Sequence, residues 1–287
     1  MRIHYECIAC AVNQAQKIAE MSTEDFEKRR RAMLFVARKL GELFSEDSIP
    51  AVSGGILFLE LYRFLGDDDP FNGYKETSTR LARKVARDIG VPKDFKAALK
   101  LAIAGNVIDF AVGYDPSKME EDIFGVTGEE LRVDHSDELL RALENAGVLL
   151  YLTDNCGEVY FDRLLLEFIR RRFPGLRIYV AAKDGPIIND ATVADLLEAG
   201  FNEFAEVIST GSRLPGTPLE HSSGEFRRIF NAADVIIAKG QANFETLSDL
   251  GDSRVFFLLK AKCPPIAREL GVERGSLLCV RGGKIDD

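Results

Sequence analysis

The stretch that decides the fold is residues 148–158, with the sequence VLLYLTDNCGE. An unbroken run of apolar and aromatic side chains, here residues 148–152, is typical of a strand that is buried on both faces of a parallel sheet. The run ends in a polar turn that contains Asp154 and Asn155. Ligands of open parallel sheets bind beyond the carboxyl ends of the strands, so this turn is a candidate site.

Working outward, the same pattern recurs through the second half of the chain. Apolar runs of similar length follow at Arg177–Ala182, Ala205–Ile208, Asp234–Ala238, Arg254–Leu259 and Ser276–Val280. Helical spacing lies between most of these runs, including 158–172 and 190–200. This alternation predicts the α/β class, with a doubly wound and mostly parallel sheet.

The first half of the chain has a different pattern. Apolar positions recur at helical spacing over residues 23–45, and further helical stretches lie near 50–65, 75–89 and 93–112. We therefore predict a mostly helical domain over 1–146, which contributes to the cleft, and an α/β domain over 147–287. The boundary is not rich in proline or glycine, which indicates close packing of the two units.

Composition narrows the functional classes. The chain has 287 residues, of which 46% are hydrophobic and 29% charged, as in an ordinary globular protein. It contains no apolar run of about 18 residues and does not begin with a signal-like segment, so we expect no membrane association and a cytoplasmic location. The net charge of −9 disfavours binding to nucleic acid.

Polar residues or glycine follow nearly every predicted strand. These segments converge on one edge if the strands are parallel: 153–158, 183–190, 209–211, 239–243 and 260–262. Within them, Asp154, Asn155 and Asp190 offer two carboxylates and an amide oxygen. Such a hard oxygen set suits Mg²⁺ or Mn²⁺, and Co²⁺ or Ni²⁺ would also fit. The alternative is that the two aspartates only cap helices.

A phosphate-binding pair of residues is predicted where another strand ends. Lys239 supplies positive charge, and Gly240 lets the backbone approach an anion. The alternative is an ordinary strand-end lysine followed by a glycine turn. Glu158 lies one helical turn beyond Asp154, where it would orient a metal shell, bind substrate hydroxyls or act as a base. An exposed glutamate in a first helical turn is an equally good interpretation.

The helical half also offers polar residues. Gly105, Asn106 and Asp109 interrupt an apolar helix, and the two polar side chains would be costly to bury without partners. They either face the cleft or find partners inside the helical unit. Residues 67–70 and Lys75 form a segment that would reach the same cleft, although a solvated turn is the simpler interpretation for the first two aspartates.

Cys7 and Cys10 have the spacing of a metal or redox motif. A tetrahedral zinc site needs two further ligands, and the chain has only three histidines. A structural or accessory role is therefore the main interpretation. The sequence lacks a Gly-x-Ser-x-Gly elbow, a P-loop and a Gly-x-Gly-x-x-Gly fingerprint, which disfavours serine hydrolases, ATPases and dehydrogenases.

Taken together, the motifs resemble those of the damage-control phosphatases. The resemblance spans nearly the whole chain, and it is carried by Asp154-Asn155-x-Gly157-Glu158, Asn189-Asp190, Lys239-Gly240-x-x-Asn243 and Gly105-Asn106-x-x-Asp109. The Cys7-x-x-Cys10 pair resembles the mark of the subgroup that includes small archaeal members. The resemblance implies a helical domain packed on a Rossmann-like α/β/α domain.

The same resemblance implies metal-dependent hydrolysis of phosphate monoesters, with sugar phosphates or damaged phosphometabolites as substrates. It assigns the metal to Asp154, Asn155 and Asp190, and the substrate site to positions that include Glu158, Lys239 and Asn243. One departure matters: some relatives carry Asp-Leu-Asn-Tyr-Arg where this chain has residues 241–245, QANFE. Substrate preference therefore does not transfer.

Two other functions stay open at this point. A human relative of the resembled family has been described as a carboxyl methyltransferase, and the predicted sheet would also house S-adenosylmethionine. The chain lacks the glycine-rich loop after the first predicted strand that such folds use. The second alternative is a non-catalytic protein that binds metabolites in the same pocket.

Overall fold

The computed structural model describes residues 1–107, 123, 125 and 127–283. Within them, the chain begins with the helices α1 (Tyr5–Ser22), α2 (Phe26–Leu43), α3 (Pro50–Leu65), α4 (Asn72–Ile89) and α5 (Phe95–Val107). Asp109 and the side chain of Asn106 lie outside the described residues.

Strands and helices alternate after residue 130. They are β1 (Leu131–Asp134), α6 (Ser136–Glu144), β2 (Val148–Leu152), α7 (Val159–Arg172), β3 (Arg177–Ala182), α8 (Val193–Glu198), β4 (Glu206–Ser209), α9 (Gly224–Ala232), β5 (Val235–Lys239), α10 (Gly240–Leu247), β6 (Val255–Lys260), α11 (Pro264–Glu269) and β7 (Leu277–Arg281). Short 3₁₀ turns lie at Phe201–Glu203, Leu219–His221 and Ser248–Leu250.

The strands form one sheet in the order β1-β7-β6-β5-β2-β3-β4. Neighbouring strands are parallel except β6 and β7, which are antiparallel. From β2 the chain builds outward to β4, then returns to place β5 on the other side of β2. The order therefore reverses between β2 and β5, and the pairing of Leu152 with Ala238 places the two strand ends side by side.

Side chains of the central strands alternate between two buried layers. In β2, Leu149 and Tyr151 pack with residues of α5 and α7, while Leu150 and Leu152 pack with residues of α9 and α10. Burial on both faces explains why these strands lack polar alternation. The predicted α/β class, with its doubly wound and mostly parallel sheet, is confirmed.

A third core cluster lies among the N-terminal helices. Ala15 of α1, Val36 of α2 and Leu57 of α3 are buried together, and Ile187 from the segment after β3 packs into the same cluster. The contact matters for the site because Ile187 lies three residues before Asp190. The helical bundle thus supports a segment that carries one of the predicted metal ligands.

The sequence missed one strand. Leu131–Asp134 pairs with β7, although it precedes residue 147 and was included in the mostly helical region. Only Leu131 of its four residues is buried, so the strand has no apolar run to mark it. The other six strands lie within one residue of their predicted bounds. The division into 1–146 and 147–287 stays a prediction.

Candidate active site

The turn after β2 places Asp154 and Asn155 at the reversal point of the sheet. Thr153 follows the strand, and its backbone N–H and hydroxyl both donate to the carbonyl of Ala181, at 3.1 and 2.9 Å. The Asn155 amide nitrogen donates to Asp154 Oδ2 and to Glu158 Oε2, each at 3.0 Å. Because the nitrogen makes both hydrogen bonds, the amide oxygen is the atom suited to ligate a cation.

The segment between β3 and α8 brings Asp190 to the same place. Asn155 and Asp190 form an isolated antiparallel bridge, and the Ala191 N–H donates to the carbonyl of Asp154 at 2.7 Å. Two segments that are more than 30 residues apart in sequence are therefore joined through their backbones. The structure thus brings together all three residues that the sequence predicted as metal ligands.

The backbone of this segment is strained two residues before Asp190. Ile188 has a φ of 38°, a left-handed conformation that β-branched residues rarely adopt. Its N–H donates to the Tyr62 hydroxyl of α3 at 2.9 Å, and the next residue, Asn189, accepts from the Cys156 N–H at 2.9 Å. Strain of this kind persists where the surroundings impose it, often at functional sites.

Asp190 is a buried carboxylate whose charge has little compensation from hydrogen-bond donors. It is 2% exposed, and among the described residues its Oδ2 has no hydrogen-bond partner. Lys183 Nζ lies 3.8 Å from that oxygen, beyond hydrogen-bond range. Burial, which Lys183 opposes and the nearby Asp154 reinforces, raises the pKa of Asp190 to about 7. A buried oxygen that lacks a donor fits a site for a cation.

Gly240 makes room for the Asp154 carboxylate. Its φ is 75°, and a Cβ at this position would lie 2.0 Å from Asp154 Oδ2. No side chain fits this space, and the positive φ favours glycine independently. The predicted role of Gly240 was an approach of the backbone to an anion. What the structure shows is an approach to a carboxylate of the candidate metal site; the substrate contact stays a prediction.

Lys239 lies below this surface and does not face solvent. It is fully buried, and its ammonium donates to Glu158 Oε1, to Asp162 Oδ1 at 2.5 Å and to the carbonyl of Ala102 at 2.9 Å. Burial opposes its charge, but the two carboxylates raise its pKa above the ordinary value. These contacts hold Glu158 in place. A direct contact of Lys239 with substrate stays a prediction.

Asp162 is a part of the site that the sequence analysis missed. It lies one turn after Glu158 in α7, and its Oδ1 also accepts from the Tyr151 hydroxyl at 2.7 Å. Burial raises the pKa of Asp162 to about 7, although Lys239 lowers it. The spacing of four residues from Glu158 was a usable signal, because such residues share a helix face.

Asn243 joins three segments around the site. Its amide nitrogen donates to the carbonyls of Lys239 at 2.7 Å and Thr153 at 3.2 Å, and its amide oxygen accepts from the Thr217 hydroxyl at 2.7 Å. Asn243 is fully buried. These contacts tie the ends of β2 and β5 together, while its predicted binding of substrate is not tested.

The helical half contributes α5 to the wall of the site. Gly105 lies against α7, where a Cβ would be 2.9 Å from Phe161 Cδ2 and 3.3 Å from Glu158 Cγ. The glycine therefore allows the two helices to approach beside Glu158. Asn106 follows Gly105 in α5, and the predicted roles of Asn106 and Asp109 stay predictions.

A cavity of about 780 Å³ opens between α4 and the segment that carries Asp190. Lys75 and Asp69, which form an ion pair at 2.5 Å, line it together with Pro186 and Thr192. Pro186 and Thr192 flank Asp190 in the chain. Lys75 and Asp69 therefore lie beside the segment that carries Asp190, and their contribution to the cleft stays a prediction.

The cysteine pair lies elsewhere. Cys7 and Cys10 are in the first turns of α1, and burial raises the pKa of both thiols. Both thiols are free. In the part of the chain that the structure describes, no group of three His, Cys, Asp or Glu side chains is placed to hold a metal ion. The Asp154–Asn155–Asp190 set contains only two such residues, because the third predicted ligand is an amide.

Fold and site together define an α/β protein with an acidic, oxygen-rich cluster of side chains at the reversal point of a doubly wound sheet. The family model of the damage-control phosphatase ARMT1-like domain matches residues 3–278. The chain belongs to this family, which confirms the resemblance drawn from the motifs. In the described part of the chain, none of the helices combines the length and the apolar character that a membrane span requires.

Individual relatives match over nearly their full lengths. The chain is 53% identical over 283 residues to the damage-control phosphatase PH1575 of Pyrococcus horikoshii, covering 98% of each chain. It is 32% identical over 289 residues to a damage-control phosphatase of Archaeoglobus fulgidus, covering 97% of this chain and 98% of the relative. A crystal structure of the DUF89 family protein from P. horikoshii superimposes with a TM-score of 0.94 and 53% identity, covering 98% of this chain and 99% of the other.

Proposed function

We propose that this protein is a metal-dependent phosphatase of the cytoplasm that hydrolyses phosphate monoesters of small metabolites, such as sugar phosphates or damaged phosphometabolites. The observation that carries the proposal is the convergence of Asp154, Asn155 and Asp190 at the sheet reversal, with a buried Asp190 oxygen that lacks a donor. The names of the P. horikoshii and A. fulgidus relatives support a phosphatase.

In this proposal, Asp154, Asn155 and Asp190 hold one divalent cation. Oxygen donors of this kind suit Mn²⁺ and Mg²⁺, and they also accept Co²⁺ or Ni²⁺. A bound cation would polarise a phosphoryl oxygen and lower the pKa of water. Three protein ligands leave positions for substrate and water, as in catalytic rather than structural sites.

The remaining residues fix the ligands. Lys239 holds Glu158, Glu158 accepts from the Asn155 amide, and that amide also donates to Asp154. Each link is a charge-assisted hydrogen bond, which is shorter and stronger than a neutral one. Gly240 leaves the space that Asp154 occupies. The chain of contacts orients the oxygen donors before substrate arrives, which is the preorganisation that catalysis requires.

The alternatives have no comparable support. The turn after β2 carries an aspartate next to an asparagine, not a glycine-rich loop for S-adenosylmethionine. A binding protein without turnover would need the same pocket, so only an activity assay separates it from a phosphatase.

The test is hydrolysis of a panel of phosphate monoesters with Mg²⁺, Mn²⁺, Co²⁺ or Ni²⁺. We expect turnover only with metal, and a decrease of at least about 100-fold in Asp190→Asn, since even outer partners of metal ligands contribute 10- to 100-fold. Asp137→Asn, an exposed aspartate in the first turn of α6, is the matched control and should behave as the unaltered protein. Absence of turnover with every metal, or full activity of Asp190→Asn, would contradict the proposal.

A further inference from the structure

Lys183 is a second buried lysine at the carboxyl edge of the sheet. It follows β3 directly and is 3% exposed. Its ammonium donates to the carbonyl of Gly216 and lies 3.8 Å from Asp190 Oδ2. It is therefore the cation beside the candidate metal ligands, on the side opposite to Glu158 and Lys239 across β2.

Lys183 and Lys239 differ in how many of their ammonium hydrogens have a hydrogen-bond acceptor. An ammonium group has three donors. Lys239 directs its donors at two carboxylates and a carbonyl, at distances up to 2.9 Å. Among the described residues, Lys183 has one carbonyl within hydrogen-bond range and one carboxylate beyond it. Lys183 therefore keeps donor capacity next to Asp190, which Lys239 does not.

The position of Lys183 is fixed by the loop between β4 and α9. Gly216 has a φ of 69°, and a Cβ there would lie 2.2 Å from the carbonyl oxygen of Ala242. The loop is also packed against α3, since a Cβ on Gly55 would be 2.5 Å from Pro215 Cδ. The carbonyl that receives Lys183 is thus held by backbone on two sides, which fixes the direction of the ammonium.

We propose that Lys183 is the residue that contacts the substrate phosphate, and that Lys239 acts only by positioning Glu158. The inference rests on the proposed function. A cation held by Asp154 and Asp190 has its charge offset by the two carboxylates, so a phosphate dianion needs a further positive group. Lysine supplies a point charge that suits phosphate without demanding a planar geometry.

Binding of inorganic phosphate tests this without relying on turnover. Calorimetric titration in the presence of Mn²⁺ should show about 10- to 100-fold weaker binding to Lys183→Gln than to the unaltered protein, the range for a lost charged hydrogen bond. Glutamine can still donate to Gly216, so this variant removes the charge and keeps the support. Lys183→Met, which removes both, serves as a second variant.

Lys84 is the control because it is an exposed lysine of α4 that lies outside the strand-end segments. Lys84→Gln should bind phosphate as the unaltered protein does. For Lys183→Gln, we expect KM for a phosphate monoester to rise, while Mn²⁺ binding, measured without phosphate, is not weakened, because a positive charge 3.8 Å from Asp190 has been removed.

The outcomes separate the two proposals. If the unaltered protein hydrolyses phosphate esters but Lys183→Gln binds phosphate equally well, the inference about Lys183 is overturned and the proposed function stands. If the unaltered protein binds no phosphate and hydrolyses no ester with any metal, both are overturned. If Lys183→Gln loses Mn²⁺ together with phosphate, Lys183 supports the metal ligands instead, and the inference also fails.

Discussion

Gly240→Ala tests whether the absence of a side chain at the end of β5 leaves the space that the Asp154 carboxylate needs to bind a metal. Ala must adopt the φ of 75°, which costs about 1–2 kcal/mol for a residue with a Cβ. Its methyl group would also lie 2.0 Å from Asp154 Oδ2, whereas ordinary contact begins at 3.4 Å, so the carboxylate must retreat by about 1.4 Å. A ligand displaced by this amount should weaken metal binding about 10- to 100-fold.

Gly251→Ala separates the two effects. Gly251 also has a positive φ, 60°, but a Cβ there meets nothing within 4 Å. Urea unfolding without metal should show a loss of about 1–2 kcal/mol for Gly251→Ala and a larger loss for Gly240→Ala. The difference between the variants measures the contact with Asp154 alone.

The increase in unfolding free energy on adding Mn²⁺ distinguishes the variants more clearly. At a Mn²⁺ concentration 100 times the dissociation constant, the unaltered protein and Gly251→Ala should each gain about 2.7 kcal/mol of unfolding free energy. The gain for Gly240→Ala at that concentration should fall to about 0.4–1.4 kcal/mol. An equal gain in all three proteins would refute the assignment of Asp154 as a metal ligand beside Gly240.

Two further predictions concern buried charges. Lys239→Met should lower the free energy of unfolding by about 3–5 kcal/mol, because Glu158 and Asp162 lose their shared cation. Adding Glu158→Gln and Asp162→Asn to this variant should recover much of the lost free energy in urea titrations. A loss below about 1 kcal/mol for Lys239→Met would show that the network does not stabilise the fold. Burial raises the pKa of Glu245 from 4.5 to about 7. A carboxyl with a raised folded pKa stabilises the fold below pH 4.5 and loses that contribution as pH rises to about 7. The stability of Glu245→Gln relative to the unaltered protein should therefore increase across this interval, and a constant difference from pH 4 to pH 8 would contradict it.

The sequence determined the sheet and the identity of the central polar residues. Strands such as β2 and β3 are recognisable because burial on both faces requires continuous apolar runs, and that requirement is local. Residues after such strands must meet at one edge, so Asp154, Asn155 and Asp190 could be assigned to a common site before their contacts were known. The short strand β1 was not predicted, because only one of its residues is buried.

The tertiary structure decided which partners the two strand-end lysines contact. Lys183 and Lys239 both follow apolar runs, and the sequence favoured Lys239 because glycine comes next. In the fold, Lys239 is enclosed by Glu158 and Asp162 of α7, whereas Lys183 lies beside Asp190. The partners of a buried charge come from segments far away in the chain, so no local pattern records them. The sequence determined which residues reach the edge of the sheet, and tertiary packing determined which groups their charged atoms contact.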